Sequence, residues 1–320
     1  MRIVAADWLP YSLPMKSPWR TSQGALTERA GRLLHLQSFD GLSGWGDSAP
    51  LPQFGISAAA TDAFAEETAQ LDLIAQQAEL PLHLWLSGDQ LVTELAVNGN
   101  LGSLSDTDAD RVTALADRGF SVIKLKVGLL PVATEIDLLE RLTAESPPGI
   151  AWRLDANAAW NRVEAAAFVS GCTNLPIEGL EEPLAAPDCK QLAELQAMAA
   201  WPIAIDESLH LLDDNFFRHP PVRRLIIKPA RHGGLISSMA LALRAQASGI
   251  EVVVTSGLES ACGLAACTQL AAAIAPRGTH GLATASWFLT DTGTACHVTE
   301  GRIQLPTLPG LGFMPNNSYR

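Results

Sequence analysis

Three carboxylates, Asp155, Glu181 and Asp206, each stand at the end of an apolar, strand-like segment, with Lys124 and Lys126 before them and Lys228 after them. Three acids in an oxygen-lined site suit a hard divalent cation, Mg2+ with Mn2+ as a substitute, water and substrate oxygens completing its coordination. The ion also offsets the mutual repulsion of the acids. A metal on a substrate carboxylate stabilises the enediolate formed when a proton leaves the adjacent carbon, and a lysine of lowered pKa is an apt base. Residues i and i+2 share a strand face, so the like charges of Lys124 and Lys126 should depress the pKa of one of them. The set therefore permits proton abstraction from a small-molecule carboxylate.

The elements that must position these groups follow from their spacing. From Lys126 through Asp155, Glu181 and Asp206 to Lys228 the steps are 29, 26, 25 and 22 residues, about one strand, one helix and two short loops. Strands are expected at 94–98, 120–127, 151–155, 177–181, 202–206, 223–228, 251–256 and, more weakly, 280–284. Between them, Ala- and Leu-rich stretches with helical period fall at 108–118, 133–144, 163–168, 189–199 and 237–247. Strands buried on both faces and alternating with helices give an α/β fold with a parallel sheet, and eight units give a closed barrel. Active sites of such barrels sit at the C-terminal strand ends, where these charges fall. Strands 2 and 6 oppose each other in an eight-stranded ring, so Lys126 and Lys228 should face across the mouth with the three acids between them.

Taken singly, each charge has a plainer reading as a solvated loop residue, and Asp155 or Asp206 with Ser208 could begin the next helix as an N-cap. Five strands ending alike argue against accident. Arg153 shares the inward face of Asp155 and either contacts substrate or balances the acids. Asn157 supports the site or belongs to a turn. Ser256 and Gly257, closing strand 7, either present backbone N–H groups to substrate or form a turn. In Glu181-Glu182 and Asp206-Glu207 alternation turns the second acid away from the barrel axis, toward the helices or the rim. His280 lies at the wrong end of strand 8, which disfavours histidine chemistry.

Residues 1–92 break the βα rhythm, with strands at 2–13 and 30–37, a Gly/Pro-rich stretch at 44–55 and helix over 58–79. This order suits a separate α+β capping domain, followed by a β/α barrel over 93–302 and an irregular tail, 303–320, that returns to the cap. Loops at 16–24, which carries Arg20, and at 45–52 either overhang the barrel mouth and meet substrate or are surface turns.

With 48% hydrophobic and 18% charged residues, the composition is that of an ordinary globular chain. A net charge of −12 leaves no basic face for a nucleic-acid partner. No stretch has the apolar length of a membrane span. The five cysteines show no metal spacing and are expected to be buried thiols of a reducing cytoplasm. No GxGxxG after a strand, GxxxxGK[ST], GxSxG or HExxH occurs, which removes support for nucleotide and serine-hydrolase chemistry. Oligomeric state leaves no signature.

Lys124-Leu125-Lys126, Asp155-Ala156-Asn157, Glu181-Glu182-Pro183, Asp206-Glu207-Ser208 and Ile227-Lys228-Pro229 resemble, in order and spacing, the enolase superfamily in its muconate lactonizing enzyme-like branch, with lysines on strands 2 and 6. Within that branch the chain is most similar to o-succinylbenzoate synthases. The resemblance implies a modified TIM (β/α)7β-type barrel beneath an N-terminal cap, Mg2+ on Asp155, Glu181 and Asp206, Lys126 as base and Lys228 as a cation stabilising the enediolate. It implies dehydration of a succinyl-hydroxycyclohexadiene carboxylate in quinone synthesis. The rivals are racemisation of N-succinylamino acids, epimerisation of dipeptides, and a non-enzymatic binding role. Dipeptide epimerases carry Asp-x-Asp after strand 8, where this chain reads Leu282-Ala283-Thr284-Ala285-Ser286.

Overall fold

The computed structural model describes residues 1–21, 24–88, 91–294 and 296–319. β1 (Ile3–Thr21) and β2 (Gly24–Ser38) form a long antiparallel hairpin, and β3 (Ser43–Ser48) pairs with the other side of β2. β1 is an edge strand, which is why it tolerates Pro10 and Pro14. The segment from 16 to 21, expected as loop, continues β1 beyond an irregularity between Pro14 and Trp19. The segment 45–48, also expected as loop, lies within β3.

Alternation on β2 turns Leu34 and Leu36 onto Ala65, Ala69 and Leu73 of α1 (Ala58–Gln77). Gly44 and Gly46 let β3 approach that helix, since a Cβ at either would strike a carbonyl of Ala69 or Ala65. α2 (Leu82–Ser87) then leads into the barrel.

The first barrel strand is split at Asn98 into β4 (Glu94–Val97) and β5 (Gly99–Ser103). After it come α3 (Ala109–Ala116), β6 (Val122–Lys126), α4 (Val132–Glu145), β7 (Ala151–Asp155), α5 (Arg162–Gly171), β8 (Ile177–Glu181), α6 (Cys189–Met198) and β9 (Ile203–Ile205). The order continues with α7 (Asp214–Arg218), β10 (Arg224–Ile227), α8 (Pro229–His232), α9 (Leu235–Ala247), β11 (Glu251–Val254), α10 (Ala261–Ile274) and β12 (Thr279–His280). β5 to β11 form one parallel sheet in chain order. Closure runs through a bridge between Thr255 and Gly281 and through the parallel pairing of β12 with β4.

Only β5 pairs with β6; the expected first strand, 94–98, faces β12 and the antiparallel β14 (Arg302–Gln304), whose hairpin partner is β13 (Val298–Thr299). No α-helix follows β12 among the described residues, so the barrel is of the (β/α)7β kind. The strands are apolar on both faces because helices cover the outside and side chains fill the inside; all four residues of β10 are buried.

α10 is buried at every residue except Ala273, because α2 covers the side that solvent would otherwise reach. The tail crosses back to the first elements, with the Leu311 N–H donating to Asp72 of α1 and the Gly310 N–H to the Leu80 carbonyl. All five cysteines are free; Cys172, Cys262 and Cys267 are buried, whereas Cys189 and Cys296 are partly exposed rather than buried. Among the described residues no helix is long and apolar enough to cross a membrane.

Candidate active site

Parallel register aligns the ends of neighbouring strands: Lys126 pairs with Asp155, Asp155 with Glu181, and Glu181 with Ala204, two residues before Asp206. The side chains of Asp155, Glu181 and Asp206 are thereby brought to one side of the barrel mouth, all buried. Neither acid acts as an N-cap. Asp155 instead accepts from the Asn157 N–H at 3.1 Å, and Asn161 caps α5.

A cleft opens above them. It is lined by the charged Lys124, Lys126, Asp155, Glu207 and Lys228 and by the polar or small Asn98, Asn100, Asn157, Thr255, Ser256, Gly257 and Thr284. Trp19, Leu51, Phe54, Ile56 and Trp287 complete the wall. Trp19 stacks on Phe54 with centroids 5.0 Å apart and meets Trp287 edge-on at 6.0 Å. β6 and β10 lie four strands apart in the ring, so Lys126 and Lys228 enter from opposite sides.

The three lysines differ in their partners. Lys124 contacts Asp155 at 2.8 Å and also Glu181. Burial alone would lower its pKa, but the two carboxylates outweigh that and raise it. Lys228 contacts Asp206, whose other oxygen takes Arg231 at 2.7 Å. Lys126 makes no ion pair among the described residues; its ammonium lies 5.7 Å from the Trp19 ring centroid. Its pKa is lowered, first by burial and then by Lys124 and Lys228, against the opposing pull of Asp155 and Glu207. The like-charge effect expected from the Lys-x-Lys pair is present, and burial exceeds it.

The donor set fits a hard divalent cation: three buried carboxylates on adjacent strand ends, with Glu181 Oε1 buried and without a hydrogen-bond partner. Among the described residues no three such side chains stand close enough, as they are, to hold an ion together, and the Lys124 and Lys228 ammoniums contact carboxylate oxygens of the set.

Several supporting positions differ from expectation. Arg153, 1% exposed, lines no part of the cleft; it lies deeper in the barrel, bound to Glu178 at 2.8 and 2.9 Å and to Asn98 at 3.0 Å. Of the two places expected for Arg153, substrate contact or charge balance, the structure has the second, against Glu178 in the barrel floor. The N–H groups of Ser256 and Gly257 are not free for substrate: Ser256 donates to the Gly281 carbonyl, and Gly257 donates to both oxygens of Glu259. Both residues still line the cleft, and the Ser256 hydroxyl meets that of Thr284 at 2.8 Å.

Glu182 does turn from the axis, accepting from the N–H groups of Asp206 at 2.7 Å and Glu207 at 2.9 Å and from the Ser208 hydroxyl. Glu207 instead faces the cleft, where burial and then Asp206 raise its pKa. Asn157, at φ 43°, lines the cleft and donates to Glu207 at 3.3 Å. The Arg20 side chain lies outside the described residues. His280 is buried, its Nδ1 accepting from the Val254 N–H at 3.1 Å. Sequence reading missed Arg231, three residues beyond Lys228, and the ring wall of Trp19, Phe54 and Trp287; Trp19 and Phe54 lay in or just beyond the two loops singled out.

The (β/α)7β barrel beneath an antiparallel sheet is the fold of an enzyme superfamily to which comparison with known proteins leads. The profile described as enolase C-terminal domain-like matches residues 107–319. The chain belongs to the enolase superfamily. A curated relative, the o-succinylbenzoate synthase of Yersinia pseudotuberculosis serotype I, is 31% identical over 300 residues, covering 86% of this chain and 88% of the relative. Two solved structures share the fold. The dipeptide epimerase of Enterococcus faecalis complexed with Mg and L-Leu-L-Tyr superposes with TM-score 0.88 at 21% identity, over 98% of this chain and 99% of its own. The N-succinyl Arg/Lys racemase of Bacillus cereus superposes with TM-score 0.89 at 21% identity, over 99% and 96%.

Proposed function

We propose that this chain is an o-succinylbenzoate synthase, a hydro-lyase that converts 2-succinyl-6-hydroxy-2,4-cyclohexadiene-1-carboxylate to o-succinylbenzoate by syn dehydration, in menaquinone or phylloquinone synthesis in the cytoplasm. The observation that carries the reading is the asymmetry of the opposed lysines: among the described residues Lys228 has a carboxylate partner and Lys126 has none. A lysine without a carboxylate, its pKa lowered, is suited to take a proton; one held against Asp206 is suited to remain a cation. The likeness to the Yersinia synthase supports the substrate.

Lys126 Nζ takes the proton from the carbon bearing the carboxylate, and electron density moves onto that carboxylate as the enediolate. A divalent ion, Mg2+ or Mn2+, held by Asp155, Glu181 and Asp206, supplies positive charge that stabilises this density when bound. The Lys228 ammonium adds positive charge from the opposite face. Lys126 then returns its proton to the departing hydroxyl, the carbon–oxygen bond breaks, and water leaves as the ring becomes aromatic. Trp19, Phe54 and Trp287 line the cleft and supply an aromatic wall for a planar product.

Racemisation of N-succinylamino acids is the second reading, because both lysines line the cleft as a two-base mechanism needs. Dipeptide epimerisation is disfavoured: Ala283 and Thr284, in the stretch after β12, give the cleft no carboxylate for an ammonium group.

The test is turnover of the cyclohexadiene carboxylate beside N-succinylamino acids, by wild type and Lys126→Ala. Dehydration by wild type and its loss in Lys126→Ala, together with loss of α-proton exchange in deuterated water, is expected; the drop is at least about 10²-fold. Exchange at the wild-type rate in Lys126→Ala would remove the base assignment, and turnover of N-succinylamino acids alone would favour the second reading.

A further inference from the structure

The wall of the cleft away from the carboxylates is built by two loops from different parts of the fold. The loop after β3 supplies Leu51, Phe54 and Ile56; the loop after β11 supplies Ser256, Gly257 and Leu258. They meet directly, since a Cβ on Gly257 would strike Ile56. One buried side chain from neither loop bonds to both. Arg29 of β2, 3% exposed, donates to the Pro50 carbonyl at 2.7 Å, to the Ala49 carbonyl, and to the Gly257 carbonyl at 3.3 Å.

A guanidinium is a rigid fork, and spending it on three main-chain carbonyls fixes where those carbonyls stand relative to one another. It is a costly choice in a dry setting. Among the described residues Arg29 makes no ion pair, and its buried Nε has no hydrogen-bond partner. Asp47 and Glu259 supply negative charge nearby without direct contact. Glu259 holds the preceding peptide, both its oxygens accepting from the Gly257 N–H at 2.9 and 2.8 Å, so Gly257 is fixed through both its N–H and its carbonyl. The neighbouring Leu258 sits at φ 64°, a left-handed conformation that a branched residue keeps only when its surroundings impose it.

We infer that Arg29 is a positioning residue that sets the width and alignment of the substrate-binding wall by tying the two loops together. It bonds to no residue of the carboxylate and lysine group, so its loss should act first on how the wall binds substrate, although the same loop also meets Arg231, the partner of Asp206, through the Phe54 carbonyl. The inference rests on the proposed carboxylate chemistry only for its kinetic arm.

The experiment compares wild type, Arg29→Met, Arg29→Lys and, as a control on the same strand, Arg32→Met, whose partner is the surface Asp62. Hydrogen–deuterium exchange is read at residues 49–57 and 255–259. Faster exchange in both loops of Arg29→Met, and not in Arg32→Met, is expected; unchanged exchange, or a change in only one loop, overturns the coupling. On whichever carboxylate wild type turns over, Arg29→Met should raise KM about tenfold with kcat within about threefold, the pattern of lost uniform binding. Arg29→Lys, a point charge without the fork, should restore the fold of a destabilised Met variant but not the KM. Full recovery of KM by lysine, or a loss confined to kcat, also overturns the inference. Failure of wild type on every carboxylate would sink the proposed function and leave the exchange result to decide this one.

Discussion

Glu178→Gln should destabilise the barrel by about 3–5 kcal/mol at pH 7, the cost of breaking a buried ion pair on one side. Glu178 stands between two guanidiniums inside the barrel: Arg153 reaches it at 2.8 and 2.9 Å, and Arg224 at 2.9 and 2.7 Å. Arg153 and Arg224 are almost wholly buried, and Glu178 is 20% exposed. Burial would raise the Glu178 pKa, but the hydrogen bonds and charge of Arg153, followed by Arg224, hold it down at about 2. Against an ordinary 4.5, that depression corresponds to about 3 kcal/mol favouring the ionised, folded form. Because the folded pKa is the lower one, this stability is fully present above pH 4.5 and is lost as pH falls toward 2. Urea unfolding of both proteins from pH 7 to pH 3.5 should show a gap that is constant down to about 5 and about 1.4 kcal/mol smaller at 3.5. The substrate KM should stay within about threefold, because Arg153 does not reach the cleft. A gap below about 1 kcal/mol at pH 7, or one that does not narrow, refutes the ion-pair accounting. A large rise in KM in a folded variant would return Arg153 to the substrate.

Two further outcomes are expected besides the loss of α-proton exchange in Lys126→Ala. Chelation should abolish turnover, and added Mg2+ or Mn2+ should restore it; full turnover by metal-free protein would exclude a metal role for Asp155, Glu181 and Asp206. Asp72, whose pKa burial raises to about 6 despite hydrogen bonds from Leu311, Gln76 and Trp45, binds its proton more tightly when folded. Its contribution therefore falls as pH rises from about 4 to about 6, so the stability of wild type relative to Asp72→Asn should drop by up to about 3 kcal/mol across that window; thermal unfolding curves that remain parallel with pH would contradict this.

The charged strand ends were legible because β6 to β10 recur at near-regular intervals and are mostly buried, so a short, largely apolar segment stops at a charge where the barrel opens. The ring closure was harder to read. β12 is two residues long and the first strand turns at Asn98, so neither carries a run long enough to phase. α10 has no polar face because α2 covers it, which removes the period that marks a surface helix. The place of Arg153 stayed open between two readings for a different reason. Alternation places it on the inward face correctly, but that face extends below the cleft, and depth along a strand depends on the stagger between strands, which a lone sequence does not contain.

The two halves of the site answer to different physical demands, and this explains why one half was readable. Carboxylates and lysines must stand at strand ends because the chemistry needs fixed charge, and rigid β-strands supply it. The other wall must match a particular molecule and is made from segments that meet only in the fold: Trp19 from a hairpin, Phe54 and Ile56 from one loop, Leu258 from another, Trp287 beyond the last strand. Nothing in the sequence pattern links these residues; the contacts that align them include the ring contacts of Trp19 with Phe54 and Trp287, main-chain carbonyls held by Arg29 and Arg231, and a peptide N–H held by Glu259. On the proposed mechanism, proton abstraction is set by the barrel, whereas the choice between losing hydroxide and returning the proton to the opposite face depends on how this wall presents the substrate to Lys126 and Lys228.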